Sequence, residues 1–153
     1  MSTGPDPLVD LPKLFHETSR IFERWMDAHC EKIGTSPARA RLMSLLHCGG
    51  SQRMTCIAEA LGVSPRNVTA LVDGLETDGF AEREPHPVDR RATMVRLTPA
   101  GLKWAKQNLC PLFEQYSAAF TKLPKADRVE LARLLSAVRE TLQAHASCGG
   151  DKG

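Results

Sequence analysis

Two short stretches of this sequence carry side chains that could hydrogen-bond to nucleic-acid bases and phosphates. The candidate residues are Ser64, Pro65, Arg66, Asn67 and Thr69 in the first stretch and Asp89, Arg90 and Arg91 in the second. Arginine pairs with guanine and asparagine with adenine in the major groove of DNA, whereas the hydroxyl groups of Ser64 and Thr69 suit phosphate oxygens. The alternative is that the same residues are ordinary solvated side chains at a helix start and a hairpin tip.

Two histidine–cysteine pairs, His29-Cys30 and His47-Cys48, form a second candidate site. Each pair lies near the end of a predicted helix. Thiolate and imidazole are suitable soft metal ligands, and a thiol with a lowered pKa is open to oxidation, so Cys30 and Cys48 are candidates for a redox switch. A free cysteine is also a small hydrophobic side chain that fills a core. No carboxylate stands at metal-binding spacing beside either pair, so no metal ligand and no cofactor is predicted.

Composition and motifs exclude several classes of protein. The 153 residues, 42% of them hydrophobic, suffice for one domain with a modest core. The five cysteines include no Cys-x-x-Cys pair, which argues against a disulfide framework and a structural zinc module. No nucleophile elbow, dinucleotide fingerprint, phosphate loop or zinc-protease motif occurs, so an enzyme is not expected. Without a signal-peptide pattern or an apolar segment of membrane length, a cytoplasmic protein with no membrane partner is expected.

The first candidate stretch belongs to a predicted pair of short helices separated by a tight turn. Residues 56–61 form the first helix, with Thr55 as its cap and Gly62 at its C-terminal end. Ser64-Pro65 begins the second helix, since a hydroxyl cap followed by proline is a favourable start. Apolar residues recur there at helical spacing, namely Val68, Leu71, Val72 and Leu75. The candidate side chains lie away from that stripe, an arrangement that suits docking in the major groove of DNA.

The second candidate stretch lies at the tip of a predicted hairpin. Residues 80–84 and 93–97 can each form a short strand, joined by the polar, proline-bearing loop 85–92. Thr98-Pro99 then begins a long helix. Helix, turn, helix, basic-tipped hairpin and helix is the order of elements in a winged helix-turn-helix. The predicted fold class is therefore mostly α with a small β-hairpin wing.

This arrangement resembles the MarR family of bacterial transcription regulators, in the segments LGVSPRNVTALVDGLETDGFAERE and DRRATMVRLTPAG. In that family an Asp-x-Arg at the wing tip precedes a strand ending in Leu-Thr and a helix-opening glycine. Here Asp89-Arg90-Arg91, Leu97-Thr98 and Gly101 stand at those positions. The resemblance implies a homodimeric repressor that binds double-stranded DNA sequence-specifically, at a roughly palindromic operator.

The resemblance also implies individual roles and a ligand. Arg91 is expected to insert into the minor groove, with Asp89 holding the wing in shape. Small phenolic or anionic effectors are expected to bind between the dimerisation helices and the DNA-binding lobe and to relieve repression. The candidate effector-binding residues are Trp25, His29, Met43, His47 and Trp104. Two alternatives stay open: a thiol- or metal-responsive version of the same regulator, and a winged-helix protein-interaction module without specific DNA binding.

Amphipathic helices flank the predicted DNA-binding lobe, residues 36–97. Residues 8–33 and 98–146 are predicted to form dimerisation helices, because their apolar stripes exceed what a single winged helix needs. Residues 147–153, which are rich in glycine, are expected to form a disordered tail. The whole chain, residues 1–153, is expected to form one domain of this type.

Net charge gives little guidance about a nucleic-acid partner. The formal net charge is only +2. In residues 53–97, six arginines stand against seven acidic residues. A DNA-binding surface therefore depends on which arginines face outward, and Arg66 is expected to be presented together with Arg90 and Arg91.

Overall fold

The computed structural model describes the backbone of residues 7–148 and all side chains in that range except those of residues 7, 9 and 146–148. Six helices and three short strands occur in this range, which confirms a mostly α fold with a small wing. In chain order they are α1 (Pro7–Lys32), α2 (Pro37–Gly49), β1 (Gln52–Arg53), α3 (Met54–Leu61), α4 (Pro65–Thr77), β2 (Ala81–Pro85), β3 (Thr93–Leu97), α5 (Pro99–Ala118) and α6 (Lys125–Cys148). The chain forms two compact units, Met1–Leu112 and Phe113–Gly153, whose boundary falls inside α5.

Hydroxyl caps and prolines set the starts of α2 and α4. Ser36 Oγ accepts a hydrogen bond from the Arg39 N–H at 3.3 Å, and Ser64 Oγ accepts one from the Asn67 N–H at 3.2 Å. In each helix a proline follows the cap, where its missing N–H costs nothing. Gly62 ends α3 in the left-handed conformation, with φ of 64°. The predicted start of α4 at Ser64-Pro65 and the turn between α3 and α4 are thereby confirmed.

The wing belongs to a three-stranded antiparallel sheet rather than to a two-stranded hairpin alone. Its central strand is β3, which lies between β1 and β2. In β1, Arg53 pairs with Met94, and the chain enters α3 at Met54 directly from this strand. The prediction of Thr55 as a cap is therefore wrong. Thr55 lies inside α3 because strand pairing fixes the helix start before it.

Thr98 joins the start of α5 to the turn that precedes β2. Its Oγ1 donates a hydrogen bond to Gly79 O at 2.6 Å and accepts one from the Gly101 N–H at 3.1 Å. Its own N–H donates to Phe80 O at 3.0 Å. A Cβ added to Gly101 would lie 2.0 Å from that same Phe80 oxygen. Glycine is required here by the close approach of α5 to the backbone.

A mainly aliphatic core fixes α4 against the sheet. The most completely buried side chains are Leu42, Met43, Leu46, Ile57, Leu75, Val68, Val72, Val95 and Cys30. Burial of a large apolar side chain contributes about 1.5–3 kcal/mol. Aromatic rings lie at the margin of this core, where the centroids of Phe80 and Trp104 are 5.6 Å apart. Packing of this kind holds the start of α4 and the wing on one rigid lobe.

The N-terminal part of α1, up to Ile21, carries apolar residues that face solvent. Leu11, Leu14, Phe15 and Ile21 are each exposed by 46% to 60%. Further along the same helix, Trp25 and Met26 pack against the core, and Cys30 is buried in it. The helix therefore anchors to the first unit through its C-terminal half only.

In the second unit, α6 has no buried side chain among its described residues. Its exposed apolar residues are Val129, Leu134, Leu135, Val138 and Leu142. The helix continues to Cys148, and the last five residues of the predicted tail lie outside the described residues. Within residues 7–148, no helix is both long enough and apolar enough to cross a membrane.

Candidate nucleic-acid interface

The first turn of α4 presents polar side chains to solvent, while the opposite face of the helix is buried. The exposed residues are Ser64, Pro65, Arg66, Asn67 and Thr69. Val68, between them, is fully buried. Thr69 Oγ1 donates to Pro65 O at 3.0 Å. Because the helix dipole makes this end positive, it can receive a phosphate or the acceptor edge of a base.

Backbone and carboxylate hydrogen bonds fix the wing loop, residues 86–92. The His86 N–H donates to Ala92 O at 3.1 Å, and the Ala92 N–H donates to Asp89 O at 3.0 Å. Asp89 Oδ1 accepts from the Arg91 N–H at 3.1 Å, and Asp89 Oδ2 lies 3.7 Å from the guanidinium of Arg53. Asp89 thus ties the tip of the loop to strand β1.

Two further residues shape the loop, and the sequence predicted neither of them. His86 Nδ1 lies 3.2 Å from the backbone N of Val88 and 3.0 Å from that of Asp89, as acceptor of their N–H groups. Its Nε2 lies 3.0 Å from a terminal guanidinium nitrogen of Arg53. The sequence does not single out Arg53, because β1 has two residues, too few to produce an alternating pattern. A histidine next to a proline carries no signal of its own, and only the folded loop brings these groups together.

Arg83, in β2, is bound by carboxylates of α4. Both its backbone N–H and its guanidinium donate to the Glu76 carboxylate, and the guanidinium lies 2.7 Å from Asp73 Oδ1. A longer contact of 3.5 Å reaches Thr69 O. The side chain therefore fastens the wing strand to the helix that carries the candidate base contacts.

The other acidic residues of the lobe are largely engaged in the same way. The remaining pairs join Arg39 to Asp78, Arg96 to Glu82 and Glu84, and Arg53 to Asp89. Arg66, Arg90 and Arg91 have no acidic partner among the described residues. All three are exposed. The nearly balanced charge of the lobe therefore conceals three outward-facing cations at the start of α4 and at the wing tip.

Replacing Arg83 with methionine is expected to lower the free energy of unfolding by about 1 kcal/mol, because it leaves two carboxylates without their shared cation. Urea denaturation measures this change. The control is Arg133→Met, which breaks an exposed pair with Glu130 on α6 and should leave the midpoint unchanged. Equal midpoints for the two variants would show that the Arg83 contacts do not hold β2 to α4.

Residues 35–93 match the family model of the MarR family. The chain is 28% identical over 128 residues to the HTH-type transcriptional repressor YetL of Bacillus subtilis, covering 82% of this chain and 77% of YetL. The chain belongs to the MarR family. It is also 37% identical over 67 residues to the uncharacterized HTH-type transcriptional regulator YfiV of Bacillus subtilis. That match covers 44% of this chain and 42% of YfiV, less than half the length of either protein.

Solved structures of MarR family regulators share the fold. AbsC from Streptomyces coelicolor superposes with a TM-score of 0.80 at 20% identity, covering 94% of this chain and 99% of AbsC. Sco3205 from the same organism, solved in complex with DNA, gives 0.78 at 21% identity and covers 93% and 94%. NadR, solved in complex with 4-hydroxyphenylacetate, gives 0.73 at 18% identity and covers 90% and 95%. The relatives are transcriptional regulators, which confirms that this MarR family member is not an enzyme.

The cysteines of the two histidine–cysteine pairs differ sharply in exposure. Cys30 is fully buried. Burial raises the pKa of its thiol, as does the nearby charge of Asp27, whereas Arg41 acts in the opposite direction. Cys48 is exposed. Since the thiolate is the reactive form, Cys30 is shielded from oxidation both by burial and by its raised pKa. Among the described residues, no group of three or more histidine, cysteine or acidic side chains is arranged to hold a metal ion.

Alkylation with iodoacetamide at pH 8 is expected to modify the exposed thiols of Cys48 and Cys56 while Cys30 stays unmodified. The raised pKa lowers the thiolate fraction of Cys30, and burial blocks the reagent. Mass spectrometry of tryptic peptides over a time course measures each rate. The same protein unfolded in urea is the control, in which the three thiols should react at similar rates. Equal rates in the folded protein would restore Cys30 as a redox candidate.

The effector candidates lie in different surroundings within the first unit. The rings of Trp25 and His29 have centroids 4.1 Å apart, and His29 Nδ1 lies 2.7 Å from Trp25 O. Met43 is 1% exposed and belongs to the core. Trp104 packs at the margin of that core, and His47 is half-buried near the end of α2. The contacts bring together Trp25 and His29, and they give Met43 a packing role.

Proposed function

We propose that this protein is a homodimeric repressor that binds double-stranded DNA sequence-specifically and is released by a small aromatic or anionic effector. The observation that carries the DNA-binding part is the exposure of Arg66, Arg90 and Arg91 without acidic partners among the described residues. Carboxylates engage four other arginines of the lobe, Arg39, Arg53, Arg83 and Arg96. Unpaired cations neutralise phosphates and release counterions, which supplies much of the affinity of a DNA-binding protein.

Each candidate residue has a distinct role in this proposal. Arg66 and Asn67 contact base edges in the major groove. Ser64 and Thr69 bind phosphate, and Pro65 sets the start of the helix that carries them. At the wing, Arg90 and Arg91 reach the adjacent minor groove from the loop that Asp89 holds. Two similar proteins support this proposal. YetL is named as a transcriptional repressor, and Sco3205 was solved in complex with DNA.

The homodimer is supported by apolar surface on the N-terminal part of α1 and along α6. A helix of 24 residues with no buried side chain among those described gains too little from its own backbone to be stable. Exposed apolar stripes of this kind mark protein interfaces. A second copy covers both helices about a two-fold axis and sets two α4 helices about one turn of DNA apart. Light scattering at micromolar concentration should give the mass of a dimer, and a monomer would remove this part of the proposal.

Relief by an effector is supported by chemistry near the end of α1. Trp25 and His29 form a half-buried pair of rings that offers a stacking surface beside an imidazole. NadR, a structural neighbour, was solved with 4-hydroxyphenylacetate, which is both aromatic and anionic. An effector must bind the DNA-competent and DNA-incompetent forms unequally in order to act. Titration of the protein–DNA complex with 4-hydroxyphenylacetate, against its neutral amide as control, tests whether a compound of this class releases DNA.

Selection of binding sites from random duplexes by the reduced protein tests the proposed function as a whole. The expected result is an enriched inverted repeat, with half-sites about 10 base pairs apart from centre to centre. Such a repeat establishes both specificity and two-fold symmetry. Absence of enrichment at low salt, with a folded protein, would reject specific DNA binding and leave a winged helix that serves another partner.

A further inference from the structure

His86 stands at the base of the wing loop, directly after the last residue of β2, and has hydrogen-bond donors on both sides of its ring. On the Nδ1 side are the backbone N–H groups of Val88 and Asp89, at 3.2 and 3.0 Å. On the Nε2 side is the Arg53 guanidinium, at 3.0 Å. The ring itself is half-buried.

The proton count of imidazole decides what these contacts permit. A neutral ring has one N–H donor and one acceptor nitrogen, whereas the protonated ring has two donors and no acceptor. With its proton on Nε2, the ring accepts from Val88 and Asp89; with its proton on Nδ1, it accepts from Arg53. Each neutral form satisfies one side, and the cation satisfies neither. The observed loop is therefore built around an uncharged His86.

The surrounding charges do not compensate a protonated ring. Arg53, from β1, would face it with like charge. Asp89 already binds the Arg91 N–H through Oδ1, and its Oδ2 lies 3.7 Å from Arg53. On the neighbouring strands, the Glu84 carboxylate accepts from Ser51 at 2.8 Å and pairs with Arg96 at 3.2 Å. The carboxylates of the described loop and strands are thus engaged elsewhere.

We propose that His86 is a positioning residue that makes the wing of this regulator sensitive to protonation. The neutral ring holds the backbone of residues 88–89, and through Asp89 it fixes the base from which Arg91 extends. Protonation removes the acceptor, places a second cation beside Arg53 and frees the loop. Acidification that protonates the ring therefore weakens the wing contact with DNA. The effect on DNA rests on the proposed function, whereas the effect on the loop does not.

Two variants distinguish the role of His86 as a hydrogen-bond acceptor from the effect of protonating its ring. His86→Asn keeps an uncharged acceptor near the position of Nδ1, because asparagine accepts from N–H groups two and three residues ahead in turns. His86→Gln puts its acceptor near the position of Nε2 instead. Binding to the selected duplex is measured by fluorescence anisotropy at pH 7.5 and 5.5. Loss of two backbone hydrogen bonds should weaken the affinity of the wild-type protein for the duplex about tenfold at pH 5.5. The affinity of His86→Asn should differ less than about twofold between the two pH values. His86→Gln should bind weakly at both.

Nuclear magnetic resonance of the free protein supplies a measurement without DNA. Wild-type amide signals of Val88 and Asp89 should shift together with the ring nitrogens of His86 on acidification, and the corresponding amides of His86→Asn should not. Equal pH dependence of DNA binding in wild type and His86→Asn would overturn the proposal. The proposal would also fail if the amide signals of Val88 and Asp89 stayed constant while the ring nitrogen signals of His86 changed. If no duplex is bound at all, the proposed function fails, and the amide signals alone decide whether His86 holds the wing.

Discussion

Gly101→Ala is expected to lower the free energy of unfolding by about 3 kcal/mol, the upper part of the usual range for an overpacked site. A Cβ at this position would lie 2.0 Å from Phe80 O and 2.8 Å from its carbonyl carbon. Both atoms are backbone, and the oxygen also accepts the hydrogen bond of Thr98 at 3.0 Å. The Phe80 backbone cannot move away without breaking this hydrogen bond at the start of α5. Urea denaturation at fixed protomer concentration measures the loss, since a dimer would make stability depend on concentration.

Gly74→Ala is the matched control for this substitution. Gly74 lies inside α4, and nothing lies within 4 Å of a Cβ added there. Alanine is favoured over glycine within a helix by about 0.5–1 kcal/mol, so this variant should be slightly more stable than wild type. Opposite signs for the two variants are the expected result. A Gly101→Ala variant as stable as wild type would mean that α5 does not approach Phe80 this closely.

The features that sequence could predict are those decided within a few residues. Ser36 and Ser64 are caps because a hydroxyl, a proline and an N–H three residues ahead are all local. Gly62 ends its helix because glycine, unlike residues with a Cβ, adopts a positive φ without strain. Such signals fixed the order of the elements and the exposed start of α4, and they fail where a distant strand intervenes, as at Thr55.

The distribution of charge could not be read from the sequence. Counting residues in 53–97 gives an excess of acids over arginines, yet the count does not say which side chains meet. Arg83 lies 7 and 10 positions from its carboxylate partners, and Arg39 lies 39 positions from Asp78. Only packing of β2 and α2 against α4 makes these pairs. Arg66, Arg90 and Arg91 are recognised as a group without acidic partners among the described residues only when the pairs made by the neighbouring arginines are known.

The hydrogen bonds of the wing loop could not be predicted from the sequence either. The resemblance singled out Asp89 from a motif, but a motif cannot reveal that His86 and Arg53 contact the same loop. Their sequence separation of 33 positions is bridged by β3, which pairs with β1 on one side and β2 on the other. A positioning residue of this kind is recognised from hydrogen-bond geometry and not from residue type.

Arg91→Ala is expected to weaken binding to the selected duplex by about tenfold to a hundredfold, as loss of a groove-inserted arginine does. The folding of the protein should be unaffected. The Arg91 side chain is exposed and has no acidic partner among the described residues, while the hydrogen bond that shapes the loop uses its backbone N–H, which alanine retains. Fluorescence anisotropy gives the affinity, and thermal denaturation checks the fold.

Arg24→Ala is the charge-matched control, because Arg24 is an exposed residue of α1 outside residues 36–97. Both variants lose one positive charge, so a purely long-range electrostatic effect would weaken both alike and fade together at higher salt. A direct contact weakens only Arg91→Ala and lowers the dependence of affinity on salt by about one counterion. Equal affinities for the two variants would assign the wing no contact with DNA. Recognition would then rest on α4 alone, through Arg66 and Asn67.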